Sequence, residues 1–175
     1  MKIIKIAILA FLVSSFLTLG IDLEVKSLMN NKVELKIPKD FEIMSKEMLQ
    51  LKYARGNAPT LVYTDKTGGI NVAMNFTQSK ANQANIGEFK DYLVKTFKGG
   101  FPDAEWKDTG FKVINGKKVG YIEVITPAID TKIYNLLFFT DMGGRLLLCT
   151  FNCTHKSIND WQPAAKEIME SLKIK

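Results

Sequence analysis

Three short turn sequences constrain this chain more than any other feature. Asp65-Lys66-Thr67-Gly68-Gly69, Asn115-Gly116 and Asp141-Met142-Gly143-Gly144 each separate two apolar, β-prone runs: 60–64 from 70–77, 111–114 from 117–126, and 132–140 from 145–154. Connections this short join antiparallel neighbours, because parallel strands need crossovers of a dozen residues or more. Within the first pair the second strand alternates, with Ile70, Val72, Met74 and Phe76 on one face and Asn71, Ala73 and Asn75 on the other. In the third pair, Leu136 to Phe139 and Leu146 to Leu148 are continuously apolar. That pattern predicts a central pair covered on both faces.

Other elements fall around these hairpins. Val33, Leu35 and Ile37 alternate with Glu34 and Lys36 and stop at Pro38, the pattern of a half-buried strand. Ser45 is placed to cap a short helix over 45–52. Asn85 followed by Glu88 predicts a capping box opening a longer helix, whose stripe is Ile86, Phe89, Leu93 and Phe97 and whose end is marked by Gly99-Gly100 and Pro102. A last helix is predicted from a cap at Asp160, with Pro163 in its first turn and Trp161, Ala165, Ile168, Met169 and Leu172 on its buried side. The fold class expected is α+β, an antiparallel sheet of about seven strands sandwiched by helices.

The first residues set the destination. Lys2 and Lys5 precede a run from Ile6 to Leu19 that carries no charge, the layout of a secretory signal. A membrane-spanning helix needs roughly 20 apolar residues, more than this run supplies, and no basic cluster follows it. The expectation is a cleavable signal over 1–20 and a single domain over 21–175, soluble in a periplasm or outside the cell. There is no cysteine for lipid attachment near the site. The signal takes two of the 24 basic residues with it, leaving 22 against 18 acidic ones and a mild balance of +4. Lysines are dispersed among carboxylates with no long run of one sign, so no nucleic-acid footprint is expected.

Two cysteines remain to be placed in an exported chain. Cys149 and Cys153 lie four positions apart on one predicted strand. That separation spans ~13 Å at about 3.3 Å per residue, whereas a disulfide needs Cα atoms within roughly 7 Å. They are expected as buried free thiols. His155 follows on the same segment, but three ligands strung along one extended strand cannot converge on an ion without a fourth from elsewhere, so no metal site is expected. A single histidine in the whole chain also argues against a nucleophile paired with an imidazole base. Neither Gly68-Gly69 nor Gly143-Gly144 fits a phosphate-binding pattern, and Glu42 with Glu47 or Asp103 with Glu105 reads as solvated surface. No cofactor is expected. Asn75-Phe76-Thr77 and Asn152-Cys153-Thr154 match the glycosylation sequon but fall inside predicted strands.

The segments Val33 to Pro38, Leu61 to Gly69, Ile86 to Phe97, Phe111 to Lys117, Phe138 to Leu148 and Ala165 to Leu172, in this order, resemble the PsbP-like superfamily and within it the bacterial periplasmic DcrB-like proteins. The resemblance covers nearly all of 21–175. It implies an antiparallel sheet sandwiched by helices, used mainly for binding or assembly rather than catalysis. Partners in that superfamily differ widely, from photosystem subunits to envelope proteins linked to phage adsorption, so fold alone selects none of them. The lipoprotein members carry a lipidation cysteine that this chain lacks. The function expected is that of an exported, non-enzymatic binding or accessory protein of the envelope with an unknown protein partner. Contacts are expected from loops 54–59 and 99–106 at one sheet end, through Arg55, Phe101 and Trp106. The alternative is a carrier of a lipid or other apolar ligand in a cavity between sheet and helix, lined by Met74, Phe76 and Phe89. A hydrolase is the third class.

Overall fold

The computed structural model of the chain describes residues 20–54 and 56–175. The predicted signal segment up to residue 19, and Arg55, lie outside the described residues. In chain order the elements are β1 (Leu23–Leu28), β2 (Val33–Pro38), β3 (Glu42–Ile43), α1 (Lys46–Lys52), β4 (Leu61–Thr64), β5 (Asn71–Lys80), α2 (Ile86–Gly100), β6 (Glu105–Ile114), β7 (Lys117–Pro127), β8 (Lys132–Met142), β9 (Arg145–Thr154), α3 (Ile158–Glu170) and β10 (Lys173–Ile174). Seven strands form one sheet in the order β3-β4-β5-β9-β8-β7-β6, and β1-β2-β10 form a second. Pairing is antiparallel throughout. The class is α+β, as the three turns require.

Those turns set the sheet. Asn115 and Gly116 have φ of 47° and 79°, and Gly143 and Gly144 have 55° and 78°. Two consecutive left-handed residues make the tight turn whose twist matches antiparallel strands. The third connection is thus two residues long, not the four read from Asp141 to Gly144, and β8 extends to Met142. β8 and β9 stand at the centre of the sheet, with apolar side chains buried on both faces.

The two faces are covered differently. One carries Val72, Met74, Tyr134, Leu136, Phe138, Leu147, Cys149, Phe151 and Cys153, and packs on Val33, Leu35 and Ile37 of β2 and on Ala165, Ile168 and Met169 of α3. The other is split. Its larger portion, Ile122, Val124, Leu137, Phe139 and Leu146, lies under α2 through Ile86, Phe89, Leu93 and Phe97. Its smaller portion, Val62 and Ala73, lies under α1 through Met48 and Leu49. Helices sandwich the sheet, but on the α3 side a small sheet shares the work.

Several local expectations need correction. β1, β3 and β10 escape the sequence pattern: β1 is an outer strand with Val25 62% exposed, so its alternation is not forced by burial. Asn85 precedes α2 but makes no side-chain cap bond, because its Oδ1 accepts from the Asn82 backbone N–H instead; the Asn85/Glu88 capping box does not form. α2 runs through Gly99 and Gly100 and closes at Phe101. α3 begins before Asp160, after a 3-10 turn over His155–Ser157, so Asp160 lies in its first turn rather than capping it. Ser45 does cap α1, its side chain accepting from the Met48 N–H at 3.2 Å.

Candidate functional site

The sequence places Arg55, Phe101 and Trp106 in loops expected at one sheet end. The sheet register separates those loops. Trp106 lies opposite Val124, and the row continues through Asn135, Asn152 and Asn71 to Thr64. The chain leaving residues 54–59 enters β4 at Leu61, toward the other end of the strands from that row. β4 and β6 are also five strand spacings apart, ~24 Å at about 4.8 Å each. Trp106 belongs to β6 rather than to a loop, is half-buried against the α2 cluster, and has Lys98 Nζ 5.6 Å from its ring centre. Phe101, 38% exposed, packs on Phe97 with ring centres 5.7 Å apart. Phe101 and Trp106 therefore share the C-terminal corner of α2, and residues 56–59, which lead into β4, lie far from them.

The chemistry concentrates elsewhere on the same face. Because α1 lies over Val62 and Ala73 of β4 and β5 while α2 lies over β7, β8 and Leu146 of β9, Leu148, Thr150 and Asn152 of β9 stay half-buried in a channel between the two helices. The floor of this channel is polar. Asn135, Asn152 and Asn71 stand side by side on β8, β9 and β5, three amides across ~10 Å. Asn71 Nδ2 donates to Asn152 Oδ1 at 2.9 Å and to the Gly68 carbonyl at 3.2 Å, and Asn135 Nδ2 donates to Thr126 Oγ1 at 3.1 Å. Thr150 and Asn75, half-buried on the same face, extend the floor, with Leu148 between them.

One group in this ladder is unfinished. Asn71 is 4% exposed, and its Oδ1 is buried without a donor. A buried acceptor left unpaired costs about 1–3 kcal/mol, and this oxygen is sealed from solvent beneath its neighbours. At the α1 end, the Lys52 ammonium is held by the same Gly68 carbonyl, and partial burial, opposed by Asp65, pulls its pKa below the ordinary lysine value. At the other end, eight residues along β5 from Asn71, Ser79 of β5 and Glu88, Phe89 and Tyr92 of α2 line an open surface hollow of about 300 Å³. Tyr92 is 66% exposed there.

A second opening lies at the edge of the α3 face. Ile21, Pro38, Phe41, Ile70 and Trp161 line it together with Asp22, Asp40, Glu42, Asp65 and Lys66. Trp161 stacks on Phe151 at 5.9 Å and meets Phe41 at 5.4 Å.

Cys149 and Cys153 are fully buried free thiols on the α3 face. Burial pushes the Cys153 pKa up to about 12 and that of Cys149 higher still, so neither supplies a thiolate at neutral pH. His155 sits exposed in the 3-10 turn. Among the described residues no group of three or more His, Cys, Asp or Glu side chains converges as a metal site, and no helix is long and apolar enough to cross a membrane. Met74 and Phe76 pack on the α3 side of the sheet, whereas Phe89 packs on the α2 side, so these three cannot line one cavity. The space between α2 and the sheet is filled by Ile86, Leu137, Phe139 and Leu146.

The amide ladder was missed because a row across strands cannot be seen along one strand. Its sequence trace is Asn135, Thr150 and Asn152, polar residues interrupting the two most apolar strands of the chain.

No family model matches the sequence, and no curated protein matches it. Solved structures do match in shape. The solution structure of cyanobacterial PsbP (CyanoP) from Synechocystis sp. PCC 6803 aligns with a TM-score of 0.64 at 13% identity, over 93% of this chain and 99% of that one. LpqN, described as involved in cell envelope biogenesis of Mycobacterium tuberculosis, aligns at 0.55 and 12% identity over 82% and 83%. A Pseudomonas aeruginosa protein of unknown function, PA94, aligns at 0.52 and 13% over 87% and 97%. At such identities the likeness is one of fold, and it spans nearly the whole of the described chain: this protein has the PsbP-like fold.

Proposed function

We propose that this protein is an exported, non-enzymatic binding or accessory protein of the cell envelope, and that the channel between α1 and α2 is its ligand surface. The observation that carries this reading is the channel floor. Asn75, Asn135, Thr150 and Asn152, all half-buried, offer neutral donors and acceptors on a central sheet, and none of them titrates in the physiological range. Such a floor recognises; it does not move protons. The likeness to CyanoP and to LpqN supports an accessory role through fold, and the basic, uncharged-core segment at the N-terminus supports export.

Fractionation with N-terminal sequencing tests the export claim, with Ile21 expected as the first residue of the mature form. A panel of esterase, phosphatase and peptidase substrates tests the non-enzymatic claim, with inactivity expected throughout. Turnover that survives purification and disappears on Asn152→Ala would overturn it. The partner reading for Phe101 and Trp106 belongs to the same proposal: both stand at the rim of the α2 corner, and affinity capture that is unchanged by Trp106→Ala removes that residue from it.

A second reading, a carrier of a lipid or other apolar ligand, finds its support in the cleft beside Phe41 and Trp161 rather than under α2. Native mass spectrometry of the purified protein separates the two, since a carrier retains a small molecule of defined mass.

A further inference from the structure

We infer that the free edge of β6 pairs with the β6 edge of a second copy of this chain, across a two-fold axis at Gly110 and on a surface separate from the channel. β6 ends the seven-stranded sheet, and no other strand among the described residues lies along its outer side. The turn after it decides which backbone groups are free there. Ile114 and Lys117 flank the two-residue turn Asn115-Gly116 and so exchange both ladder bonds, and the alternation of antiparallel pairing then turns Lys112, Gly110 and Asp108 toward β7 as well. The N–H and C=O groups of Thr109, Phe111 and Val113 therefore point outward. The Thr109 N–H agrees with this, being bonded to the Asp108 carboxylate at 2.8 Å rather than to β7.

The side chains beside these groups leave the edge approachable. Native sheets blunt a free edge with charges and bulges. Here the bulge lies at the start of the strand, between Trp106 and Asp108, and the three residues with outward backbone carry no charge. Val113 is 80% exposed and Phe111 40%. The Phe111 ring leans over the α2 face, close to Gly87, with Lys118 Nζ 4.5 Å and Lys90 Nζ 5.2 Å from its centre, and so does not lie across the edge.

Charge names the occupant. The strand carries both signs, Lys107 and Lys112 with Glu105 and Asp108, which does not suit a partner of one sign. Two β6 strands whose outward groups face each other, with the contact held between the bulge and the turn, can be centred on Gly110, Phe111 or Lys112. Centred on Lys112, that lysine stands against itself, which is repulsive. Centred on Phe111, Lys112 faces Gly110 and Asp108 faces Ile114, and no charge is matched. Centred on Gly110, Lys112 of each copy stands opposite Asp108 of the other, at positions where side chains come closest, and the axis itself carries no side chain. Thr109 then stands opposite Phe111 and the two exchange backbone bonds in both directions. Asp108 hands the Thr109 N–H over to the Phe111 carbonyl of the other copy and keeps the Tyr121 hydroxyl, while Lys112 keeps Glu170 of α3 on its other side.

Sedimentation equilibrium of the purified protein, from micromolar to millimolar concentration, tests this and should show monomer and dimer in exchange. Hydrogen exchange at the Phe111 amide should slow as concentration rises. Asp108→Lys and Lys112→Asp each set like charges opposite one another in both halves of the interface, and each should weaken self-association about tenfold or more. Mixed together, the two variants restore opposite charges at every position and should associate with each other as tightly as the unaltered chain does with itself. Both residues are exposed, and the circular dichroism spectrum and urea midpoint of each variant verify its fold. A chain that stays monomeric throughout, a dimer unmoved by both substitutions, or a mixture no tighter than the separate variants overturns the inference. So does a monomer whose Phe111 amide is protected only by a captured envelope protein, which gives the edge to another chain.

Discussion

Replacing Glu123 by alanine tests how α3 is held to the sheet. Glu123 is 2% exposed and points from β7 toward α3, where its carboxylate accepts from the Tyr134 hydroxyl at 2.9 Å and from Gln162 Nε2 at 2.5 Å, with Lys166 Nζ at 3.3 Å. The Lys166 side chain is 47% exposed, so its pair is screened and it regains water when the carboxylate goes; it contributes little to the loss. Tyr134 has no such escape, being fully buried. Its orphaned hydroxyl costs about 1–3 kcal/mol, and loss of the charge-assisted bond to Gln162 adds about 1–2 kcal/mol. Glu123→Ala should therefore destabilise by about 3–4 kcal/mol, and Tyr134→Phe, which leaves Glu123 with two partners, by about 1 kcal/mol. The double variant should cost less than the two together by about 1–2 kcal/mol, because it removes the orphan along with its acceptor. Urea unfolding monitored by Trp161 fluorescence reads all four corners of this cycle, since Trp161 lies on α3 and stacks on Phe151 of the sheet. A loss below about 1 kcal/mol for Glu123→Ala, or strict additivity, would refute the reasoning that the carboxylate fastens α3 through Tyr134.

Stability should fall steeply in alkali. Tyr134, Cys149 and Cys153 all have folded pKa values raised by burial, so their contribution is fully present below the unfolded cysteine value and is lost as pH rises. With all three ionised only in the unfolded chain, the slope approaches about 4 kcal/mol per pH unit near pH 10–12 in chemical denaturation, and a flat profile would contradict the burial. The same burial predicts that neither thiol reacts with a disulfide reagent in native buffer and that both react in urea. Gly120→Ala should cost about 1–3 kcal/mol in the same assay, because an added Cβ would stand 2.5 Å from the ring of Phe139, which is fully buried and cannot yield. Ser45→Ala, which removes the α1 cap, should cost about 1 kcal/mol.

The sheet was legible in the sequence because its signals are local. Asn115-Gly116 and Gly143-Gly144 name their own turn type, and the unbroken apolar runs of β8 and β9 announce a central pair with apolar side chains buried on both faces, Leu146 on one and Leu147 on the other. Elements without a burial requirement were not legible: β1 exposes Val25, β3 is two residues long, and β10 is a two-residue addition to β2. Nor were helix starts secure where a nearby backbone donor competes for the capping side chain. Asn85 looks like a cap by position, yet its carbonyl oxygen is taken by the Asn82 N–H, 2.8 Å away, in the turn before α2. Among the site residues, Trp106 reads as a loop residue in the sequence because β6 is an outer strand, with a bulge between Trp106 and Asp108 that breaks the alternation by which a strand is recognised.

The channel shows how much hangs on two residues of turn length. A loop over 141–144 would pair Thr140 with Arg145 and bring Asn135 opposite Thr150. With Gly143 and Gly144 alone in the turn, Met142 pairs with Arg145 and the same ladder carries Asn135 opposite Asn152. Both registers put the same side chains on the same face, since they differ by an even step, so burial and hydrophobic alternation cannot choose between them. The core tolerates either pattern equally in outline; the amide row exists only in one. What decides is backbone conformation at two glycines whose left-handed φ values match the strand twist. Asn71 then joins the row because β5 pairs with β9 in the register that sets it opposite Asn152, on the far side from Asn135. The amide row is thus a consequence of turn chemistry at the far end of β8 and β9, well away from the amides themselves.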